Sequence, residues 1–387
     1  MSLFRKGLAV TLTALAVSTG ATAPATAAPA EAAHQKIVGA YYGNWFSGSK
    51  PISQIPSTTP ITHLFYAFST IENGKCTMPA ESAPKDFADI RDLKHRKPSL
   101  KALISLGGWG AGGFSDASLT PTTRKTLIDS CKELFFQDGT FDGIDIDWEF
   151  PVYGGPTEIT DRPEDKRNMT LLTKDFRKAL GSKKLVTAAL PAGRLQTDGP
   201  YDPAKSFELR ELAKVMDFIN VMTYDLGTGF SPVATFNAGF REVANDPMPR
   251  DDRRWNNVVG AINYYERHGV PNNKMVLGVP FYGRGFNVKA EGPQHGLYQA
   301  YDSAFWVDGY DEVNRLKAAP GWKEYWHPVA QSPWLYNAAE KKFVSFENPR
   351  SIKLRADYAR ARGLLGTFMW ELGHDDAQHS LLKAMSR

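Results

Sequence analysis

Eight short runs, dense in β-branched and other apolar residues, recur along the chain at residues 36–42, 61–68, 101–106, 141–148, 184–190, 217–224, 275–281 and 364–370. Each has the length of a strand, and the near-continuous hydrophobicity of most of them is that of strands buried on both faces. Between most of them lie segments of helical period, among them 121–136, 164–180, 253–268 and 349–362. Strand alternating with helix implies parallel pairing, because the chain must cross back before it lays down the next strand. The expected class is therefore α/β, and eight such units close into a (β/α)8 TIM barrel with its chemistry at the C-terminal strand ends.

One connection does not fit a plain barrel. Between the seventh and eighth runs the interval 286–361 is too long for a structureless loop in a compact domain. Pieces at 296–299, 332–336 and 342–346 alternate like strands and 308–318 has helical period, so a small α+β insertion between strands 7 and 8 is expected. The expected division is then a barrel portion at 36–285, the insertion at 286–361, and strand 8 with a C-terminal helix at 362–387. Ahead of these, Arg5 and Lys6 precede an apolar stretch that ends before Ala25-Thr26-Ala27. That is the pattern of a secretory signal peptide over 1–27, followed by a leader over 28–35, and it predicts an exported, soluble product.

Charge narrows the partners. The net charge of +4 falls to +2 once Arg5 and Lys6 are removed with the leader, and no block of Lys or Arg is present. Neither nucleic acid nor an anionic membrane surface is expected as a partner. Only two cysteines occur, Cys76 and Cys131, compatible with a disulfide in an oxidising space or with two buried thiols. The eight histidines show no ligand spacing, so no metal and no cofactor are expected; monomer is the default state.

The fourth run carries the strongest chemical signal. Asp145, Asp147 and Glu149 alternate with Ile144, Ile146 and Trp148, so on a strand the acids share one face and the apolar groups the other. Acids spaced at about 7 Å repel one another, and burial raises the cost of ionising them all, so at least one pKa should rise. A carboxyl that keeps its proton near neutrality is what a general acid requires. Magnesium ligation and a merely solvated strand remain as alternatives. Asp142 is out of phase with the other three and reads as structural.

The remaining strand ends deliver polar and aromatic groups to the same rim: Tyr41 to Trp45, Ser105 to Trp109, Met222-Thr223-Tyr224-Asp225, Tyr282-Gly283-Arg284, and Trp370-Glu371. Of nine tryptophans, Trp45, Trp109, Trp148 and Trp370 fall at or just past strand ends, and Trp306, Trp322, Trp326 and Trp334 fall in the insertion. Flat apolar faces beside hydrogen-bonding groups suit pyranose rings, which points to a long sugar polymer as ligand.

The run from Asp142 to Glu149 resembles the Asp-x-x-Asp-x-Asp-x-Glu signature of glycoside hydrolase family 18. Ser105-Leu106-Gly107-Gly108, Met222-Thr223-Tyr224-Asp225, Tyr282-Gly283-Arg284 and Trp370 are similar to further motifs of that family, from about Val38 to Asp376. The insertion resembles the α+β domain of its deep-cleft chitinases. The resemblance implies a secreted chitinase that cleaves β-1,4-linked N-acetylglucosamine, the 2-acetamido oxygen of the substrate attacking to give an oxazolinium ion. The residues agree with that: two catalytic carboxyls of an ordinary retaining glycosidase flank the bond about 5 to 5.5 Å apart, whereas Asp147 and Glu149 share one strand and one side.

Carried over position by position, Glu149 is implied as proton donor, Asp147 as partner of the acetamide, Asp145 as the group sharing a proton beneath it, and Tyr224 as donor to the acetamido carbonyl. Asp225 would contact the distorted sugar, and Trp370 would floor the subsite on the non-reducing side. Tyr41, Met222 and Arg284 would line it, with Ser105 bonding the acids from the barrel floor and Trp109 among the cleft aromatics. Arg284 reads equally well as a structural ion-pair partner. Phe150 stands where many relatives carry Tyr, and Glu347 where Asp is common. Alternatives are an endo-β-N-acetylglucosaminidase on glycoprotein glycans, a sugar-binding lectin on an inactive barrel, and a magnesium-dependent barrel enzyme; the lectins typically lack the terminal Glu that is present here at 149.

Overall fold

Runs that are apolar on both faces need cover on both sides, and the chain supplies it by closing a barrel inside a ring of helices. The computed structural model describes residues 37–386, so the expected signal peptide and leader lie outside the described residues. Seven barrel strands come first: β1 (Ile37–Gly43), β2 (His63–Ser69), β3 (Lys101–Gly107), β4 (Gly143–Asp147), β5 (Leu185–Pro191), β6 (Phe218–Met222) and β7 (Met275–Pro280). An insertion follows with β8 (Gly283–Val288), β9 (Tyr301–Val307), β10 (Trp322–His327), β11 (Ser332–Asn337) and β12 (Lys342–Ser345), and the chain then returns as β13 (Gly366–Trp370). β13 pairs in parallel with both β1 and β7 and closes an eight-stranded barrel, the (β/α)8 architecture expected from the runs.

The helices that cover it include Ala83–Arg96, Pro121–Phe135, Asp165–Leu180, Val258–Arg267 and Pro349–Ala361. Helix Pro121–Phe135 starts on a reciprocal cap, in which the Thr120 hydroxyl accepts from the Thr123 amide at 3.1 Å while the Thr123 hydroxyl accepts from the Thr120 amide at 3.0 Å. The segment read as one helix over 253–268 is two, Arg250–Trp255 and Val258–Arg267. Asn257 separates them, its side chain accepting from the Gly260 amide at 2.8 Å and so capping a new helix.

The insertion is an antiparallel five-stranded sheet in the order β9-β8-β12-β11-β10, with helix Tyr310–Ala318 between β9 and β10. The piece 296–299 is not a strand: His295, Gly296 and Tyr298 all take positive φ, which turns the chain. The sheet begins at Gly283, ahead of 286, and helix Pro349–Ala361, which falls in the interval 286–361, packs on β7 and β13 of the barrel. A buried ion pair ties that helix to the sheet's end: Arg355 Nη2 lies 2.9 Å from Glu347 Oε1 and also donates to the Ala238 carbonyl and to Ser332 Oγ.

Cys76 and Cys131 form a disulfide that fastens the hairpin Ile71–Glu72/Lys75–Cys76 to helix Pro121–Phe135. Among the described residues no helix is long and apolar enough to cross a membrane.

Candidate active site

The alternation in the fourth run sorts as its chemistry requires. Ile144, Ile146 and Trp148 are buried on the outer side of the barrel wall, Trp148 stacking on Phe114 with ring centres 5.1 Å apart, and Asp145 and Asp147 point inward. β4 ends at Asp147, so Glu149 stands just past the strand, at the wall of the cleft. Gly107 makes room for this turn at φ +119°, since a Cβ there would lie 2.1 Å from the Asp147 carbonyl oxygen. The Gly108 amide donates to the same carbonyl at 2.8 Å. Asp142 accepts from the Ala102 amide and pairs with Lys94, each at 2.9 Å, the structural part its phase suggested.

Asp145 is fully buried and surrounded by donors. Oδ2 accepts from Tyr41 Oη at 2.7 Å and Ser105 Oγ at 2.9 Å, and Oδ1 accepts from Thr187 Oγ1 at 2.6 Å and, at 3.5 Å, from Asn220 Nδ2. Burial pushes its pKa up while these four bonds pull it down. Asp147 has less help. Burial first, then the charges of Glu149 and Asp145, lift it well above the carboxylate range, and its buried Oδ1 has no hydrogen-bond partner in the protein. Burial and then the Asp225 charge push Glu149 up to about 8. A ladder results: a buried acid well supplied with donors at the bottom, an undersatisfied one above it, and a proton-holding acid at the cleft.

Across from these, Asp225 adopts a left-handed conformation at φ +54° and is fixed by three bonds to one oxygen. Tyr282 Oη donates at 2.7 Å, Arg284 Nε at 2.9 Å and Arg284 Nη2 at 2.6 Å. Tyr224 lies beside it, and burial raises its phenol well above the usual value, so the hydroxyl stays a donor. Trp370 stacks on Phe68 with ring centres 5.5 Å apart and lies 5.5 Å from Tyr41. The cleft these residues surround has a volume of about 790 Å³.

Of the residues singled out from sequence, Tyr41, Trp109, Asp147, Glu149, Met222, Tyr224, Asp225, Arg284 and Trp370 line this one cavity. Asp145 and Ser105 lie below it, so Ser105 supports Asp145 and does not reach a ligand in the cleft. Arg284 lines the cleft and pairs with Asp225. Sequence reasoning missed Thr187 and Asn220, the remaining donors to Asp145, and the link from Trp45 through Glu371. A polar residue at an inward phase of an otherwise apolar strand was the available signal for the first two. Among the described residues no three His, Cys, Asp or Glu side chains are grouped to hold a metal ion.

The profile of the family described as Glycosyl hydrolases family 18 matches residues 37–375. The chain is 33% identical to chitinase A1 of Niallia circulans over 96% of its own length and 60% of that protein's. It is 28% identical to an endochitinase of Manduca sexta over 87% of its length and 63% of that protein's, so it spans less than two thirds of either relative. Among solved structures, a glycoside hydrolase family 18 N-acetylglucosaminidase from Paenibacillus barengoltzii superposes with a TM-score of 0.79 at 28% identity, covering 90% of this chain and 98% of that one.

Proposed function

The chain belongs to glycosyl hydrolases family 18, and from that premise we propose that it is a chitinase, hydrolysing β-1,4-linked N-acetylglucosamine polymers with retention of configuration. The observation that carries the reading is the pairing of Glu149, a carboxyl held near pKa 8 at the cleft wall, with Asp147, whose Oδ1 has no donor in the protein. Glu149 gives its proton to the glycosidic oxygen as the bond from that oxygen to C1 breaks. The carbonyl oxygen of the 2-acetamido group closes on C1, and Asp147, whose proton passes toward Asp145 as Glu149 gives up its own, accepts the acetamide N–H and balances the positive charge of the oxazolinium ion. Tyr224, kept protonated, donates to the acetamido oxygen and fixes its line of attack. Glu149, now a carboxylate, takes a proton from water as the water oxygen bonds C1 and the oxazoline ring opens, which restores the acid.

In this scheme the acetamide of the substrate supplies the nucleophile, while Asp225 is held through Oδ1 by Tyr282 and Arg284. Chitin or its oligosaccharides are therefore the proposed substrate. Export is proposed as well, supported by the Cys76–Cys131 disulfide, which persists in oxidising spaces.

The test is hydrolysis of soluble chitin oligosaccharides with the product anomer followed by NMR. The β-anomer should appear first, and Glu149→Gln should abolish turnover while retaining binding. Oligosaccharides without the acetyl group on the reacting sugar should stay intact; brisk cleavage of them overturns the substrate-assisted step. Cleavage of a glycoprotein core glycan but not of chitotetraose would favour the endo-β-N-acetylglucosaminidase reading, and binding without turnover the lectin.

A further inference from the structure

Two half-exposed tryptophans line the cleft from different parts of the fold: Trp45, 51% exposed in the loop after β1, and Trp306, 40% exposed on β9 of the insertion. Each indole N–H is bound to a carboxylate. Trp45 Nε1 donates to Glu371 Oε1 at 3.1 Å, and Trp306 Nε1 donates to Asp308 Oδ1 at 3.2 Å. His374 Nε2 stands between those two oxygens, 3.5 Å from Glu371 Oε1 and 3.4 Å from Asp308 Oδ1. The other oxygen of Glu371 accepts from the Gly43 amide at 3.0 Å, so one carboxyl grips the Trp45 loop at two points. Close approach of insertion and barrel is built in as well: at Gly309, φ +123°, a Cβ would lie 2.9 Å from the His374 carbonyl oxygen.

We propose that Glu371 and His374 are positioning residues that hold Trp45 and Trp306 at a fixed separation, Glu371 through its bonds to the Trp45 and Gly43 N–H groups and His374 by wedging its ring between Glu371 and Asp308, and that this link sets the enzyme's preference for long sugar chains over short ones. The proposal rests on the chitinase reading above. Trp45 lies 6.1 Å from Trp370, on which the reacting sugar is placed, so the indole reaches sugars further along the chain and not the bond being broken. An indole that swings freely loses its ordering entropy each time a sugar stacks on it; one held by Glu371 does not. Burial, the first cause in each case, pushes Glu371 up to about 8 and His374 down to about 4, with Asp308 and Lys50 the charged groups facing them. Near neutrality the pair thus carries its proton on the carboxyl beside an uncharged imidazole, a form that tolerates burial.

Glu371→Gln replaces one acceptor with an amide donor that must face either the Gly43 or the Trp45 N–H. The readout is kcat/KM for chitohexaose divided by kcat/KM for a fluorogenic chitobioside. Glu371→Gln should lower that ratio by about tenfold, mostly through KM for the hexamer, with Trp45→Phe giving a similar fall. The double variant should fall no further than the worse single, because both changes break one link. Additive losses, or an equal fall in kcat for both substrates, overturn the proposal. Should Glu371→Gln fold poorly, Asp308→Asn on the exposed side of the link must lower the ratio through Trp306, and an unchanged ratio there also overturns it. If the wild-type protein cleaves neither substrate, the chitinase reading fails; the link is then judged by quenching of indole fluorescence, which Glu371→Gln must weaken for the hexamer relative to the dimer.

Discussion

The proton donation proposed for Glu149 makes a quantitative demand on pH. The acid is active in its protonated form, so activity is present below its pKa and lost as pH rises through about 8. At pH 7 such a carboxyl is protonated in about 90% of molecules, against about 0.3% for one at the ordinary 4.5, so burial and the Asp225 charge together raise the competent acid about 300-fold. A plot of kcat/KM against pH for a soluble chitin oligosaccharide should turn down near 8 and then fall about tenfold per unit. Asp225→Asn removes the second cause of the shift and leaves the Arg284 guanidinium uncompensated, two changes that both favour the carboxylate. The descending limb should therefore move to lower pH by about one unit, and its position can be read even though maximal activity also drops. A wild-type limb already descending at about pH 6, or one that stays in place or moves upward in Asp225→Asn, would refute the reasoning.

Two further variants probe what holds the site. Thr187→Val removes the 2.6 Å bond to Asp145 Oδ1 and should cost about 1–3 kcal/mol in urea unfolding. Because burial raises the Asp145 pKa above its unfolded value and the lost bond opposed that rise, the deficit should grow with increasing pH and shrink in acid; a pH-independent deficit would argue against it. Arg355→Met strands Glu347 and should lower stability by about 3–5 kcal/mol and Tm by about 5–10 °C. Glu347 is raised by burial to about 7, so its folded form favours the proton, and the loss should deepen as pH climbs through 7; a Tm within about 2 °C of wild type would show that the pair holds nothing.

The strands were legible because burial on both faces leaves continuous apolar runs, and the acid ladder because three acids in phase, without a base among them, are unusual on a solvated strand. Elements whose burial is partial were harder. β9 and β10 are the two edges of the insertion sheet, and their exposed Asp302, Lys323 and Glu324 hide the alternation. Residues 296–299 alternate like a strand, yet their backbone turns on positive φ values that composition does not announce. In the site, Thr187 and Asn220 are single polar residues in apolar runs, recognisable as partners of Asp145 only once strand register is known. The Glu371 link depends on a loop and an insertion meeting, and no local pattern encodes that approach.

Arg284 belongs to β8, paired with Ser345 inside the insertion sheet, yet its guanidinium holds Asp225 at the mouth of the barrel. The boundary between scaffold and accessory thus runs through the proposed reaction centre and not around it. An engineer who trims the insertion to widen the cleft removes a cation from the acid opposite Glu149, and one who transplants it between barrels must move Tyr282 and Arg284 as a unit with Asp225. Cleft shape and proton chemistry are inherited together in this protein, so variation in one constrains variation in the other.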